Sequence, residues 1–151
     1  MADDTDISTL NSLIKTTIDS VRGFEDAAED SESGRFATVF EQFAQERRRV
    51  VSTLQEEVRR LGGTPEDDSS FLGTAHRTFM NLKQSVMSRD NKAIVNEVER
   101  GEDYIKEKYQ AALADEALSA ETRMVVQQVY GSIREGHDRA SALKHSMSNE
   151  V

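Results

Sequence analysis

Apolar residues recur at helical spacing in four long segments of the chain, and polar residues fill most positions between them. The first two segments cover about residues 6–29 and 35–61, and the last two about residues 91–113 and 119–145. Asp6 or Thr5 is the predicted N-terminal cap of the first helix, and Ser119 is that of the fourth. The Gly-Gly pair after residue 61 ends the second helix. The pattern therefore predicts four long amphipathic helices.

The lengths of the connections predict how these helices are arranged. The links at residues 30–34 and 114–118 are short, so helices one and two should be antiparallel, as should helices three and four. The link between helices two and three is much longer and carries a further apolar stripe over about residues 70–88. A helix there spans about 25 Å, enough to return the chain to the opposite end of the bundle.

Helices two and three would then run parallel. The predicted fold is all-α: a single-domain ferritin-like four-helix bundle over residues 1–151, with a long crossover containing an additional short helix. The alternative is a plain up-and-down bundle with an extra helix.

Two charged residues interrupt the apolar stripes. Arg47 falls where helix two requires an apolar side chain, and Glu102 occupies a core position of helix three. If these helices run parallel, the two residues lie at about the same height, which predicts a buried ion pair. His137 lies on the stripe of helix four near the height of Glu99, and His76 lies on the crossover stripe. The predicted polar core consists of Arg47, Glu102, Glu99, His137 and His76.

A di-iron bundle needs a Glu on each of two helices and a Glu-x-x-His motif on each of the other two. The residues three positions before the histidines are Gly73, Arg134 and Ala142, so the sequence contains no such motif. The preferred prediction is therefore that the protein has no metal and no cofactor. The alternative is a site for iron or manganese, because carboxylates and an imidazole suit such ions. Its candidate ligands are Glu25, Glu99, Glu102 and His137.

Composition narrows the classes of partner. A formal net charge of −9 argues against binding to nucleic acid or to an anionic membrane surface. The absence of cysteine excludes disulfides, thiolate metal sites and cysteine nucleophiles. The start "MADDTDIST" does not resemble a signal peptide, and no apolar run is long enough for a membrane span. A cytoplasmic protein is expected.

Four stretches of the chain carry a resemblance to a known family. They read "LNSLIKTTIDSVRGFEDAAED", "QEEVRRLGGTPEDDSSFLGTAHRTFMNLK", "AIVNEVERGEDYIKEKYQAAL" and "GHDRASALK". Together they resemble an uncharacterised bacterial family of ferritin-like four-helix-bundle proteins containing a domain of unknown function. The resemblance implies the bundle and a bacterial cytoplasmic setting, but no reaction. Related ferritin-like groups are associated with stress responses, so a stress-related role is expected by analogy only.

These observations predict a non-catalytic bundle protein in which Arg47 and Glu102 form a polar pair instead of a di-iron site. No catalytic residue is predicted, and a homodimer is the candidate assembly. The competing hypothesis is a ferritin-like divalent-metal-binding protein or oxidase that uses the carboxylate and histidine cluster.

Overall fold

The computed structural model of the protein describes residues 3–30, 34–67 and 91–148. These residues form four helices and contain no strand. The helices are α1 (Asp3–Asp30), α2 (Gly34–Arg60), α3 (Asn91–Ala114) and α4 (Ala120–Ser148). The predicted all-α four-helix bundle is confirmed. The short helix predicted at about residues 70–88, and His76 within it, lie outside the described residues.

The end of α2 is set by its two glycines. Gly62 has a φ of 84°, in the left-handed region that suits glycine. Its N–H donates to the Arg59 carbonyl (3.0 Å), and the Gly63 N–H donates to the Val58 carbonyl (2.9 Å). These two bonds form a Schellman motif, which satisfies carbonyls that the helix end would otherwise leave unpaired. A Cβ on Gly63 would lie 3.0 Å from the Ile7 side chain, so α1 passes close to this turn.

Contacts between helix ends determine the directions of the helices. The start of α1 meets the start of α4, where the Ser119 N–H donates to Asp6 at 2.9 Å. The end of α2 reaches the same end of the bundle, as the distance of 3.5 Å between Arg60 Nη2 and Glu121 Oε2 shows. Glu121 lies in the first turn of α4. Lys144, near the end of α4, contacts Glu99, near the start of α3. Helices α1 and α4 therefore run one way, and α2 and α3 run parallel to each other in the opposite direction.

The main packing contacts are α1 with α2, α3 with α4, α2 with α4 and α1 with α3. Helices α2 and α3 are therefore diagonal to each other across the bundle. This arrangement differs from an up-and-down bundle, in which helices two and three would be antiparallel.

Apolar side chains form two clusters along the bundle axis. The cluster at the end holding the α1 and α4 N-termini, called the lower cluster, includes Leu10, Ile14, Leu54, Val58, Ile105, Tyr109, Val126, Val129 and Ile133. The cluster at the opposite end, called the upper cluster, includes Phe24, Phe40, Phe43, Ile94, Val98 and Ala140. Each helix passes from one cluster to the other through a short stretch at mid-height. Arg47 and Glu102 lie in that stretch on α2 and α3.

Candidate functional site

Arg47 and Glu102 form an ion pair between the two apolar clusters. Arg47 Nη2 donates to Glu102 Oε2 at 2.6 Å. The side chains are 1% and 0% exposed, respectively, so the charges are removed from water. Because α2 and α3 are diagonal, this pair joins two helices across the bundle axis. The structure thus brings together the two residues that interrupted the apolar stripes.

The guanidinium of Arg47 occupies space that α4 leaves open at Gly136. A Cβ on Gly136 would lie 2.5 Å from Arg47 Nη2 and 3.2 Å from Phe43 Cε1. Real Cβ atoms do not approach other heavy atoms as closely as 2.5 Å, so a side chain here would displace the guanidinium. The Arg47 guanidinium carbon also lies 5.9 Å from the centroid of the Phe43 ring, within the range of a cation–π contact. Gly136 is therefore part of the site.

The ion pair makes only one of the two parallel hydrogen bonds that Arg and Glu can form. Arg47 Nη1 and Glu102 Oε1 are buried and have no hydrogen-bond partner among the described residues. Removing a charge from water costs several kcal/mol, and attraction offsets this only when the remaining donors and acceptors are also paired. The pair therefore need not stabilise the fold more than two well-packed apolar residues would.

Tyr109 and Thr17 form a second buried polar contact below the ion pair. The Thr17 Oγ1 donates to the Leu13 carbonyl at 2.7 Å, which leaves Tyr109 to donate its hydroxyl proton to Thr17 at 2.7 Å. Burial raises the pKa of the Tyr109 hydroxyl to about 12, although the Thr17 hydrogen bond and the positive charge of Arg47 act in the opposite direction. Tyr109 is therefore protonated at neutral pH.

Glu99 and His137, the two other predicted polar residues that the structure describes, lie at the edge of the core. His137 Nε2 is 2.5 Å from Asp103 Oδ1, and the His137 side chain is 16% exposed. Lys144 Nζ is 2.9 Å from Glu99 Oε1, and Glu99 is 23% exposed. Both contacts lie at the boundary between α3 and α4, where the partner side chains reach solvent. Glu99 and His137 are therefore separate from the buried centre, and His137 pairs with Asp103 rather than with Glu99.

The four candidate metal ligands do not converge. Glu25 is 43% exposed and pairs with Arg48, while Glu102 is buried against Arg47. Glu99 and His137 face the two other partners described above. Within residues 3–30, 34–67 and 91–148, no group of three or more His, Asp or Glu side chains is placed to hold a metal ion. The predicted ligand set is thus not assembled, because its members leave their helices on different faces and a guanidinium occupies the centre.

One comparison with known proteins bears on this site. The profile of a family described as a domain of unknown function, DUF2383, matches residues 5–115. The chain belongs to this family. The DUF2383 match runs from α1 through α3 and includes both Arg47 and Glu102, whereas Gly136 and His137 lie beyond it. Membership of an uncharacterised family is confirmed. None of the curated proteins matches the chain.

Among the described residues of this DUF2383 chain, no helix is both long enough and apolar enough to cross a membrane. The helices instead carry charged side chains along their outer faces, such as Arg48, Lys108 and Glu121.

Proposed function

We propose that this DUF2383 chain is a non-catalytic, ferritin-like helical-bundle protein that serves as a structural or interaction module. The observation that carries the proposal is the Arg47 guanidinium, which is buried at the bundle centre and hydrogen-bonded to Glu102. A fixed positive charge at that place repels a cation and engages the one fully buried carboxylate there. Parallel α2 and α3, joined by a long connection, support the ferritin-like assignment.

The role we propose for the pair is to select one alignment of α2 with α3. If α2 shifted by one turn, about 5.4 Å, Arg47 and Glu102 would each be buried without their partner. An unpaired buried charge costs several kcal/mol, so misaligned bundles would be strongly disfavoured. Apolar residues at these positions would tolerate such shifts more easily, because hydrophobic burial is not directional. The pair would thus specify the bundle without necessarily adding to its stability.

A metal-binding experiment tests this function against a divalent-metal role. The protein is purified without chelator, analysed for bound metal, and titrated with iron(II) and manganese(II). We expect no stoichiometric binding, because Arg47 holds the central carboxylate. The Glu121→Gln variant serves as a control, because it removes an exposed carboxylate that is not among the candidate ligands. Stoichiometric binding that Glu102→Gln abolishes and Glu121→Gln preserves would contradict the proposal and favour a metal-handling protein or oxidase.

We further propose a cytoplasmic, stress-related protein that assembles as a homodimer. The location and the stress role rest on the resemblance to bacterial ferritin-like proteins alone. The dimer is carried over from the sequence analysis, and Met124, with 69% of its surface exposed, is the residue to test at its interface. Light scattering coupled to size-exclusion chromatography tests the assembly, and a monomeric mass at micromolar concentration would contradict the dimer.

A further inference from the structure

Helix α4 is attached to the bundle differently on the two sides of Gly136. Before Gly136, the side chains of Val126, Val129 and Ile133 are buried in the lower cluster. Between residues 137 and 145, Ala140 is the buried apolar residue, and Leu143 is partly buried against the upper cluster. Hydrophobic stabilisation scales with the apolar area removed from water. Residues 137–145 of α4 therefore gain much less from burial than the part before Gly136.

Polar contacts supply much of the attachment of this C-terminal part. His137 pairs with Asp103, and Lys144 pairs with Glu99, both on α3. Arg139 pairs with Glu46 on α2, and its guanidinium carbon lies 4.5 Å above the Phe43 ring.

Each of these three contacts includes a side chain that is more than a third exposed. The contacts of Lys144 and Arg139 are ion pairs, and the His137–Asp103 contact is one only when His137 is protonated. The exposed fractions are 54% for Asp103, 42% for Lys144 and 39% for Arg139. Salt screens interactions between such partly exposed charges, whereas it has little effect on buried apolar contacts. The attachment after Gly136 should therefore depend on ionic strength, and the attachment before it should not.

Gly136 lowers the local stability of α4 between its two parts. Glycine in a helix interior lowers helix stability relative to alanine, because it loses more backbone freedom on folding. An alanine Cβ here would lie 2.5 Å from Arg47 Nη2, so alanine would require the guanidinium to move. The ion pair in its observed position thus favours glycine in α4 where the buried apolar contacts become sparse.

We propose that residues 137–148 form an arm that separates from the bundle under ionic-strength control, opening at Gly136. Separation breaks these three polar contacts and uncovers the Phe43 ring that Arg139 covers. Residues 120–135 stay in place, because their apolar side chains belong to the lower cluster. This conformational device is independent of the proposed function, which concerns the Arg47–Glu102 pair.

Amide hydrogen exchange measured by mass spectrometry tests the arm. The protein is labelled at about 0.1 M and about 1 M NaCl, between which the screening length falls from about 10 Å to about 3 Å. We expect exchange within residues 137–148 to become roughly tenfold faster at the higher salt, given the two exposed ion pairs of Arg139 and Lys144 and the His137–Asp103 contact. Exchange within residues 120–135 should stay unchanged and serves as the internal reference. Exchange of the arm that is insensitive to salt, or that matches the reference segment, would overturn the proposal.

Variants that remove the acidic partners test whether these polar contacts cause the salt dependence of the arm. Replacing Glu46, Glu99 and Asp103 by their amides (Glu46→Gln, Glu99→Gln, Asp103→Asn) removes the acidic partners of the arm. This triple variant should exchange at low salt as fast as the unmodified protein does at high salt, and should no longer respond to salt. Glu121→Gln, an exposed change at the opposite end of α4, should leave the exchange of the arm unchanged. A triple variant that keeps the salt response would show that these ion pairs do not hold the arm.

Discussion

Arg47 is a charged side chain at a position where the apolar stripe of α2 requires a hydrophobic one. It is 1% exposed, and its partner Glu102 is fully buried. Such a pair is costly to bury, but breaking it is costlier still, because the remaining charge keeps its desolvation penalty and loses its attraction. Arg47 Nη1 and Glu102 Oε1, which have no hydrogen-bond partner in the described part of the chain, add to the cost of burial. At the scale of single residues, then, the pair disfavours folds in which its two members do not meet, and it need not add to the stability of the native fold.

Removing one partner should destabilise the protein much more than removing both. Arg47→Met is expected to lower the free energy of unfolding by about 3–5 kcal/mol, because Glu102 is left buried and unpaired. In the double variant Arg47→Met/Glu102→Leu most of this loss should be recovered. Urea denaturation at pH 7 measures these two variants and the single variant Glu102→Leu. If the two single losses simply add in the double variant, Arg47 and Glu102 do not interact in the folded protein.

The buried Tyr109 hydroxyl should make the stability of the protein depend on alkaline pH. Its pKa is raised from 10.0 to about 12, so its stabilising contribution is fully present below pH 10 and is lost as the pH rises through 12. Two pKa units correspond to about 3 kcal/mol. Tyr109→Phe should lower the free energy of unfolding by about 1 kcal/mol at pH 7, because the hydrogen bond to Thr17 is lost. The stability of this variant should also fall less between pH 10 and 12.

Tyrosinate absorbance and denaturant unfolding between pH 9 and 12 measure this effect. One of the three tyrosines should titrate near pH 12 and should be missing from Tyr109→Phe. Tyr104→Phe is the matched control, since Tyr104 lies on the same helix and is partly exposed. If Tyr104→Phe changes the loss of stability at alkaline pH as much as Tyr109→Phe does, Tyr109 is not the group responsible for that loss.

At the scale of helices, the N-terminus of α4 is held by a residue of α1. Asp6 Oδ1 accepts from the Ser119 N–H at 2.9 Å, and Asp6 Oδ2 accepts from Thr122 Oγ1 at 3.0 Å. The sequence pattern had indicated Asp6 as the cap of its own helix, but α1 already begins at Asp3, so Asp6 faces inward and contacts α4 instead. Ser119 caps α4 as predicted, with its Oγ accepting from the Thr122 N–H at 3.3 Å.

Asp6 should make stability depend on acidic pH. Burial alone would raise its pKa, but hydrogen bonds from Ser119 and Thr122, together with the charge of Arg60, lower the pKa below 3.8. The contribution of Asp6 is therefore present above pH 3.8 and is lost as the pH falls through the lowered pKa. Asp6→Asn is expected to cost about 1–3 kcal/mol at pH 7, because the bonds to the carboxylate are charge-assisted.

Thermal unfolding of Asp6→Asn from pH 7 down to pH 2 measures this contribution. The difference from the unmodified protein should shrink as the pH falls below 3.8, where Asp6 itself becomes protonated. Asp4→Asn, an exposed carboxylate near the start of the same helix, should have little effect at any pH. A constant difference across the whole range would mean that the charge of Asp6 does not contribute.

At the scale of the whole molecule, the bundle has two apolar clusters with an ion pair between them. The lower cluster receives large side chains from all four helices, whereas residues 137–145 of α4 supply Ala140 and the partly buried Leu143 to the upper one. The ion pair lies where the two clusters meet and joins the diagonal helices α2 and α3. The proposed arm of α4 follows from this uneven distribution of apolar contacts.

The sequence by itself determined the fold class and the identity of the central charged residues. Apolar spacing of about 3.6 residues is a local property, so it predicts helices without knowledge of their neighbours. A charge within such a stripe is equally visible, and Arg47 and Glu102 were recognised for that reason. Connection lengths then favoured parallel α2 and α3, because a short loop can join only antiparallel neighbours.

Tertiary structure alone decided which side chains meet. Gly136 makes room for Arg47, but a glycine carries no hydrophobic pattern that could reveal its contact with another helix. Thr17 and Tyr109 stood on the apolar stripes, yet their hydrogen bond depends on the rotation of α1 against α3. A rotation of one residue, about 100°, moves a side chain from the core to the surface, and local spacing does not determine that rotation with enough accuracy. For the same reason Glu99 and His137, expected in the core, lie at its edge.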